Sequence, residues 1–140
     1  MSAPRMAALL GAAALVASGC QGGAMTEYRF SKDAESLHSL ATEGGLLADG
    51  VVDSRTTSAF VLTHAQELAS DAEKLASVVA STQPEPGLGG KTERLAALAR
   101  LAATQLRVLA DHPSDPAAAA AIKAALNDTA DAAEQLEKSL

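Results

Sequence analysis

The chain has 140 residues, of which 33 are Ala, two Phe, one Tyr and none Trp, and its 17 acidic against 11 basic side chains give a formal charge of −6. That length leaves no room for two full domains, and seven Val and one Ile are too few of the branched and aromatic residues on which a β-rich fold depends. No cluster of Lys or Arg interrupts the acidic balance, which excludes nucleic acid as a partner, because such binding rests on a basic footprint. One small all-α domain remains.

Met1 to Met6 carry a single charge, Arg5, and Ala7 to Val16 read AALLGAAALV, an unbroken apolar run of ten residues. A bilayer span needs about 20 such residues, so the run reads as the apolar core of a signal peptide. Ala17-Ser18-Gly19-Cys20 follows it directly, and Cys20 is the chain's one cysteine. In this stretch the sequence resembles the signal peptide of bacterial lipoproteins, in which small residues precede an obligatory cysteine. Ala17 stands where that family prefers leucine. The resemblance implies cleavage between Gly19 and Cys20, a diacylglycerol joined to the Cys20 thiol, and attachment facing outward on the cell membrane. It also implies the outer membrane where the cell has one, since Gln21 rather than Asp follows the cysteine. Residues 1–19 are accordingly expected to be a signal peptide, 20–25 a lipidated tether, and 26–140 the folded domain.

From about Thr26 to Val52, Phe30, Leu37, Gly44 and Val51 recur every seven residues beside Leu40, Leu47, Ala34, Ala41 and Ala48, which predicts an amphipathic helix. Gly44 and Gly45 interrupt good helix formers, and because Gly44 falls on the apolar face they signal either close helix approach or a bend. Asp53 to Thr57 is turn-like, with Thr57 a suitable N-cap. A second helix is predicted over about Ser58–Thr82, where Val61, Ala65, Leu68, Ala72, Leu75 and Val79 are spaced by fours and threes. Gln83 to Gly90, with two prolines and three glycines, reads as a loop. A third helix is predicted from about Thr92 to Asp111 on Leu95, Leu98, Leu101, Ala102, Leu106 and Leu109. Asp115 and Pro116 open a fourth as N-cap and first helical residue. It runs to the chain end, with Ile122, Thr129 and Leu136 on one heptad row and Ala119, Leu126, Ala133 and Leu140 on a second.

Four amphipathic helices of similar length with short connections predict an antiparallel up-down-up-down four-helix bundle. The alternative is a pair of helical hairpins that close a core only as a homodimer. From Cys20 onward 26 Ala stand against 27 larger apolar residues. Alanine admits close helix approach but buries little surface, so modest stability is expected, helped by a partner.

Catalytic chemistry has few footholds. Glu35-Ser36-Leu37-His38 has the Glu-x-x-His spacing of di-iron bundles and His64-Ala65-Gln66-Glu67 has it reversed. A di-iron site needs two such motifs and two further glutamates facing inward. Glu35 and His38 fall beside the apolar row and are expected to face water. His64 lies at the edge of its stripe and is expected to pair with Glu67, and His112 closes the third helix. Gly87-Leu88-Gly89-Gly90 follows a helix, whereas a dinucleotide fingerprint follows a strand. No catalytic residue, metal site or cofactor is therefore expected. The reading that emerges is a lipid-anchored, non-enzymatic bundle that binds or scaffolds an envelope protein. The rival is a small-ligand or metal carrier, or an oxidase, using His64 and nearby carboxylates.

Overall fold

Among the described residues four helices follow one another: α1 (Glu27–Val52), α2 (Ser58–Ser81), α3 (Gly89–Asp111) and α4 (Pro116–Lys138). They are seen in a computed structural model that describes residues 23–140. Cys20, Gly19 and the apolar run before them lie outside the described residues. Three helix starts are fixed by side-chain caps. Thr26 Oγ1 accepts from the Arg29 N–H, Thr57 Oγ1 from the Phe60 N–H, and Asp115 Oδ1 from the Ala117 and Ala118 N–H groups. Each satisfies donors that the first turn of a helix leaves free. Pro116 takes the first helical position of α4, where its missing N–H costs nothing.

The helices form an antiparallel four-helix bundle. Cross-helix bonds give the direction: Ser31 pairs with Glu137, His38 with Ala130 and Asp49 with Lys123, so α4 descends as α1 rises. Glu43 with His64 and Met25 with Gln83 show the same for α1 and α2. The contacts are uneven. α2 lies closest on α3 and α1 on α4, while α1·α2 and α3·α4 meet more loosely. Small residues permit the close pairs: Ala34, Ala41, Gly44 and Ala48 are buried on α1, and Ala119, Ala130 and Ala133 on α4. Ala65, Ala69, Ala72 and Ala76 are buried on α2, and Ala96, Ala99, Ala103 and Ala110 on α3. Leu37, Leu95, Leu106, Leu109 and Leu126 fill the centre between the pairs together with Phe30.

Of the two alternatives at Gly44 and Gly45 the fold takes one, and three other expectations are corrected. α1 is unbroken at Gly44 and Gly45, which serve close approach, not a bend. α3 begins at Gly89, three residues before Thr92, because the preceding chain is already held in a turn: the Leu88 N–H donates to the Glu85 carbonyl, and Gly87 supplies the positive φ of 91° that the turn requires. α4 ends at Lys138, leaving Leu140 exposed rather than on the core row. Leu101 is also exposed, since the apolar arc of α3 is wider than the arc its two neighbours cover.

Met25 is the largest departure from a free tether. Its side chain is fully buried, its N–H donates to the Gln83 carbonyl at 2.8 Å, and its own carbonyl accepts from the Glu85 N–H at 3.1 Å. The residue is a part of the core and clasps the α2–α3 loop. Arg29 Nη1 donates to the Gly23 carbonyl, holding the chain two residues earlier as well.

A β-carbon added at Gly44 would stand 2.7 Å from Leu106 Cδ2 and 3.0 Å from Leu126 Cδ1, both fully buried leucines with nowhere to move. At Gly45 it would meet only the amide of exposed Asn127. Overpacking costs about 1–3 kcal/mol and the gain in helix propensity is about 1 kcal/mol. Gly44→Ala is therefore expected to lower stability by about 1 kcal/mol and Gly45→Ala to raise it by a similar amount. Urea unfolding followed by circular dichroism checks both signs.

Candidate functional site

The three histidines occupy different settings. His38 is half-buried, and its Nδ1–H donates to the Ala130 carbonyl 3.1 Å away on α4, so it does not simply face water as its sequence row suggests. Glu35, its partner in the Glu-x-x-His spacing, is turned outward and accepts from Lys32 Nζ at 2.8 Å. His112 is the exposed C-cap of α3.

His64 is the most connected. Its ring stacks on Phe60 with centroids 5.4 Å apart and planes 28° apart. Nδ1 lies 3.4 Å from Glu67 Oε2, the pair expected from sequence, and Nε2 lies 2.7 Å from Glu43 Oε1 on α1. The second contact is the shorter one, and it crosses between helices, so spacing within one helix could not reveal it. Each ring nitrogen thus faces a different carboxylate, one on α2 and one on α1. The two carboxylates sit on opposite ring nitrogens and cannot converge on one ion. Among the described residues no group of three His, Cys, Asp or Glu side chains is placed to hold a metal. Beside His64, the groove between α1 and α2 is lined by Glu35, Glu43 and Asp71, and each of these already has a side-chain partner: Lys32, His64 and Lys74.

Two other carboxylates are shifted in opposite directions. Burial raises Asp33 above the usual carboxylate range, only partly offset by Arg29, whose Nε is 3.9 Å away; Asp33 Oδ2 is buried without a hydrogen-bond partner. Asp49 is lowered by the hydrogen bond from Lys123 Nζ at 2.5 Å, with Arg55 adding to the effect at 2.8 Å. Asp49 thereby ties the end of α1 to α4 and to the α1–α2 turn, where Arg55 also reaches Asp53. On the outer α2–α3 seam Arg107 pairs with Glu73.

The α2–α3 loop is flanked by two clefts. One, of about 330 Å³, lies between α2 and α3 and is lined by residues including Val79, Gln83, Gly89, Thr92 and Arg100. The other, of about 590 Å³, lies between α3 and α4 and is lined by Gly87, Gly90, Lys91, Arg94, Leu136 and Ser139 among others. Thr92 is 4% exposed, and its hydroxyl is buried with no partner. No family model, curated protein or solved structure matches the chain.

Two stability effects follow from these polar groups. Thr92→Val keeps the shape and removes an unpaired hydroxyl, and is expected to stabilise the fold by about 1 kcal/mol in chemical unfolding. An acid whose folded pKa is raised loses stability as pH climbs from its unfolded toward its folded pKa; one whose folded pKa is lowered loses stability as pH falls through the same region. Asp33→Asn is thus expected to stabilise at neutral pH and Asp49→Asn to destabilise. Asp33→Asn should converge on the parent as pH falls below the free carboxyl range, and Asp49→Asn only at lower pH, once the lowered carboxyl of folded Asp49 is protonated too. Unfolding midpoints measured across pH check the two signs.

Proposed function

We propose that the chain is an outward-facing lipoprotein whose helical bundle binds or scaffolds a protein of the cell envelope and performs no catalysis. The observation that carries the reading is the join between signal and fold. The apolar run Ala7 to Val16 gives way to Ser18-Gly19-Cys20, and the first core residue, Met25, comes only five residues after the cysteine. A lipid at Cys20 would therefore place the bundle directly on a membrane. Two or three acyl chains suffice for stable attachment, where a single chain is marginal. No helix among the described residues is long and apolar enough to cross a membrane, so attachment in this reading falls to the lipid.

The exterior suits a contact role. Phe60, Leu46 and Leu101 are exposed singly on helix surfaces, between charged side chains that pair mostly with one another. The His64 arrangement gives the carrier reading no converging ligand set.

Intact mass of the mature protein purified from membranes tests the proposal. The expected product begins at Cys20 and carries a diacylglycerol thioether, and Cys20→Ala accumulates as uncleaved precursor. An unmodified Cys20 thiol on the mature chain would overturn the reading. Titration with zinc(II) or iron(II) is expected to give the same result for the parent and for His64→Ala; uptake of one equivalent by the parent alone would favour the carrier.

A further inference from the structure

The clasp at Met25 limits where a lipid on Cys20 can be. Five residues of fully extended chain reach at most about 18 Å, and the last of them is pinned to Gln83 and Glu85. The end of the bundle built from the start of α1, the α2–α3 loop and the end of α4 must then lie against the bilayer that holds the lipid. This end has the surface for such a neighbour. Tyr28 on the first turn of α1 is 75% exposed, and Leu140, just past the end of α4, is exposed at the same end of the bundle. A tyrosine with an apolar body and a polar tip is the side chain that settles at a headgroup boundary.

The cleft between α3 and α4 opens at the same end, since Lys91 Nζ reaches the Ser139 carbonyl at 2.6 Å. Lys91 and Arg94, three residues apart on one helix face, stand at its rim, and no carboxylate side chain lines it. Arg94 has no ion-pair partner among the described residues, in a protein where most cations are paired. The rest of the lining combines Leu136 and Ala132 with Gln135, Ser139 and two glycines. Two cations at the mouth of a cleft with no carboxylate match the phosphate groups of anionic lipids.

We propose that this end of the bundle is a membrane-docking surface, with Tyr28 and Leu140 at the headgroup boundary and Lys91 and Arg94 on the phosphates of anionic lipids. The bundle then stands away from the bilayer. Leu46, eighteen residues along α1 from Tyr28, lies about 27 Å farther out at 1.5 Å per residue, one turn past Glu43 of the His64 bridge. The proposal rests on the lipid-anchor reading, and adds to it which surface meets the membrane and which is left for a partner.

Tyr28 is the chain's one tyrosine and there is no tryptophan, so its emission reports this end alone. The mature lipid-modified protein, its Cys20 lipid verified by mass, is placed in vesicles of phosphatidylcholine and phosphatidylglycerol with brominated acyl chains, which quench on contact. Tyr28 emission is expected to drop relative to unbrominated vesicles. In the variant Tyr28→Phe with Phe60→Tyr the reporter sits at the far end and is expected to keep its emission. Lys91→Glu with Arg94→Glu, with helix content confirmed by circular dichroism, is expected to lose most of the Tyr28 quenching. An unquenched Tyr28 on a chain of verified lipid mass would overturn the docking surface while leaving the anchor intact. Equal quenching at positions 28 and 60 would mean a bundle lying on its side, and unchanged quenching in the double charge variant would remove the phosphate contact. A mature chain without lipid mass overturns both readings.

Discussion

Close approach between alanine-lined helices is the constraint on which this structure depends. A chain with so many alanines cannot fill a wide gap between helices, so it must bring backbones together. It does so twice, in α1 with α4 and in α2 with α3. The leucines are then gathered between the two pairs, where Leu106, Leu109, Leu126 and Leu37 reach across the space that alanines cannot fill. Gly44 marks the tightest point of this arrangement: Leu106 and Leu126 occupy the volume a β-carbon would need. Dispersion contacts fall off steeply with separation, so a bundle of this kind draws its cohesion from fit more than from buried area.

Much of this was legible in the sequence, and the reason is periodicity. Phe30, Leu37, Val51, Val61, Val79, Leu95, Leu106, Ile122 and Leu126 lie on the heptad rows and are all buried. The caps Thr57 and Asp115 were readable because their chemistry is local: a side-chain oxygen three residues or fewer from the donor it serves. The pairing of α1 with α4 was not readable, since heptad rows say which face is buried and nothing of which neighbour buries it. Leu101 shows the same gap from the other side. It has the right spacing for the core and the wrong azimuth for the neighbours that α3 acquires.

The candidate sites divide along the same line. Glu67 beside His64 was visible as a spacing within one helix, while Glu43, the closer partner, comes from twenty-one residues earlier and is brought in by the fold. The Ala130 carbonyl on His38 is likewise a product of packing, and it turns a residue that spacing assigns to water into a link between helices. Met25 gave no signal at all. A methionine in a short glycine-containing segment reads as tether, and only the chain from Gln83 to Glu85, some sixty residues on, makes it core.

That clasp also sets how the molecule carries load. A pull on the residues before Gly23 falls partly on Arg29 in the first turn of α1, which bonds the Gly23 carbonyl. It is also met by the Met25 backbone bonds to Gln83 and Glu85 and by the buried Met25 side chain. Tension is thus shared between α1 and the α2–α3 hairpin. The N-terminal segment is bolted to the bundle at its loop, so a domain with a thin alanine core does not rely on the first turn of its first helix to hold its leading end.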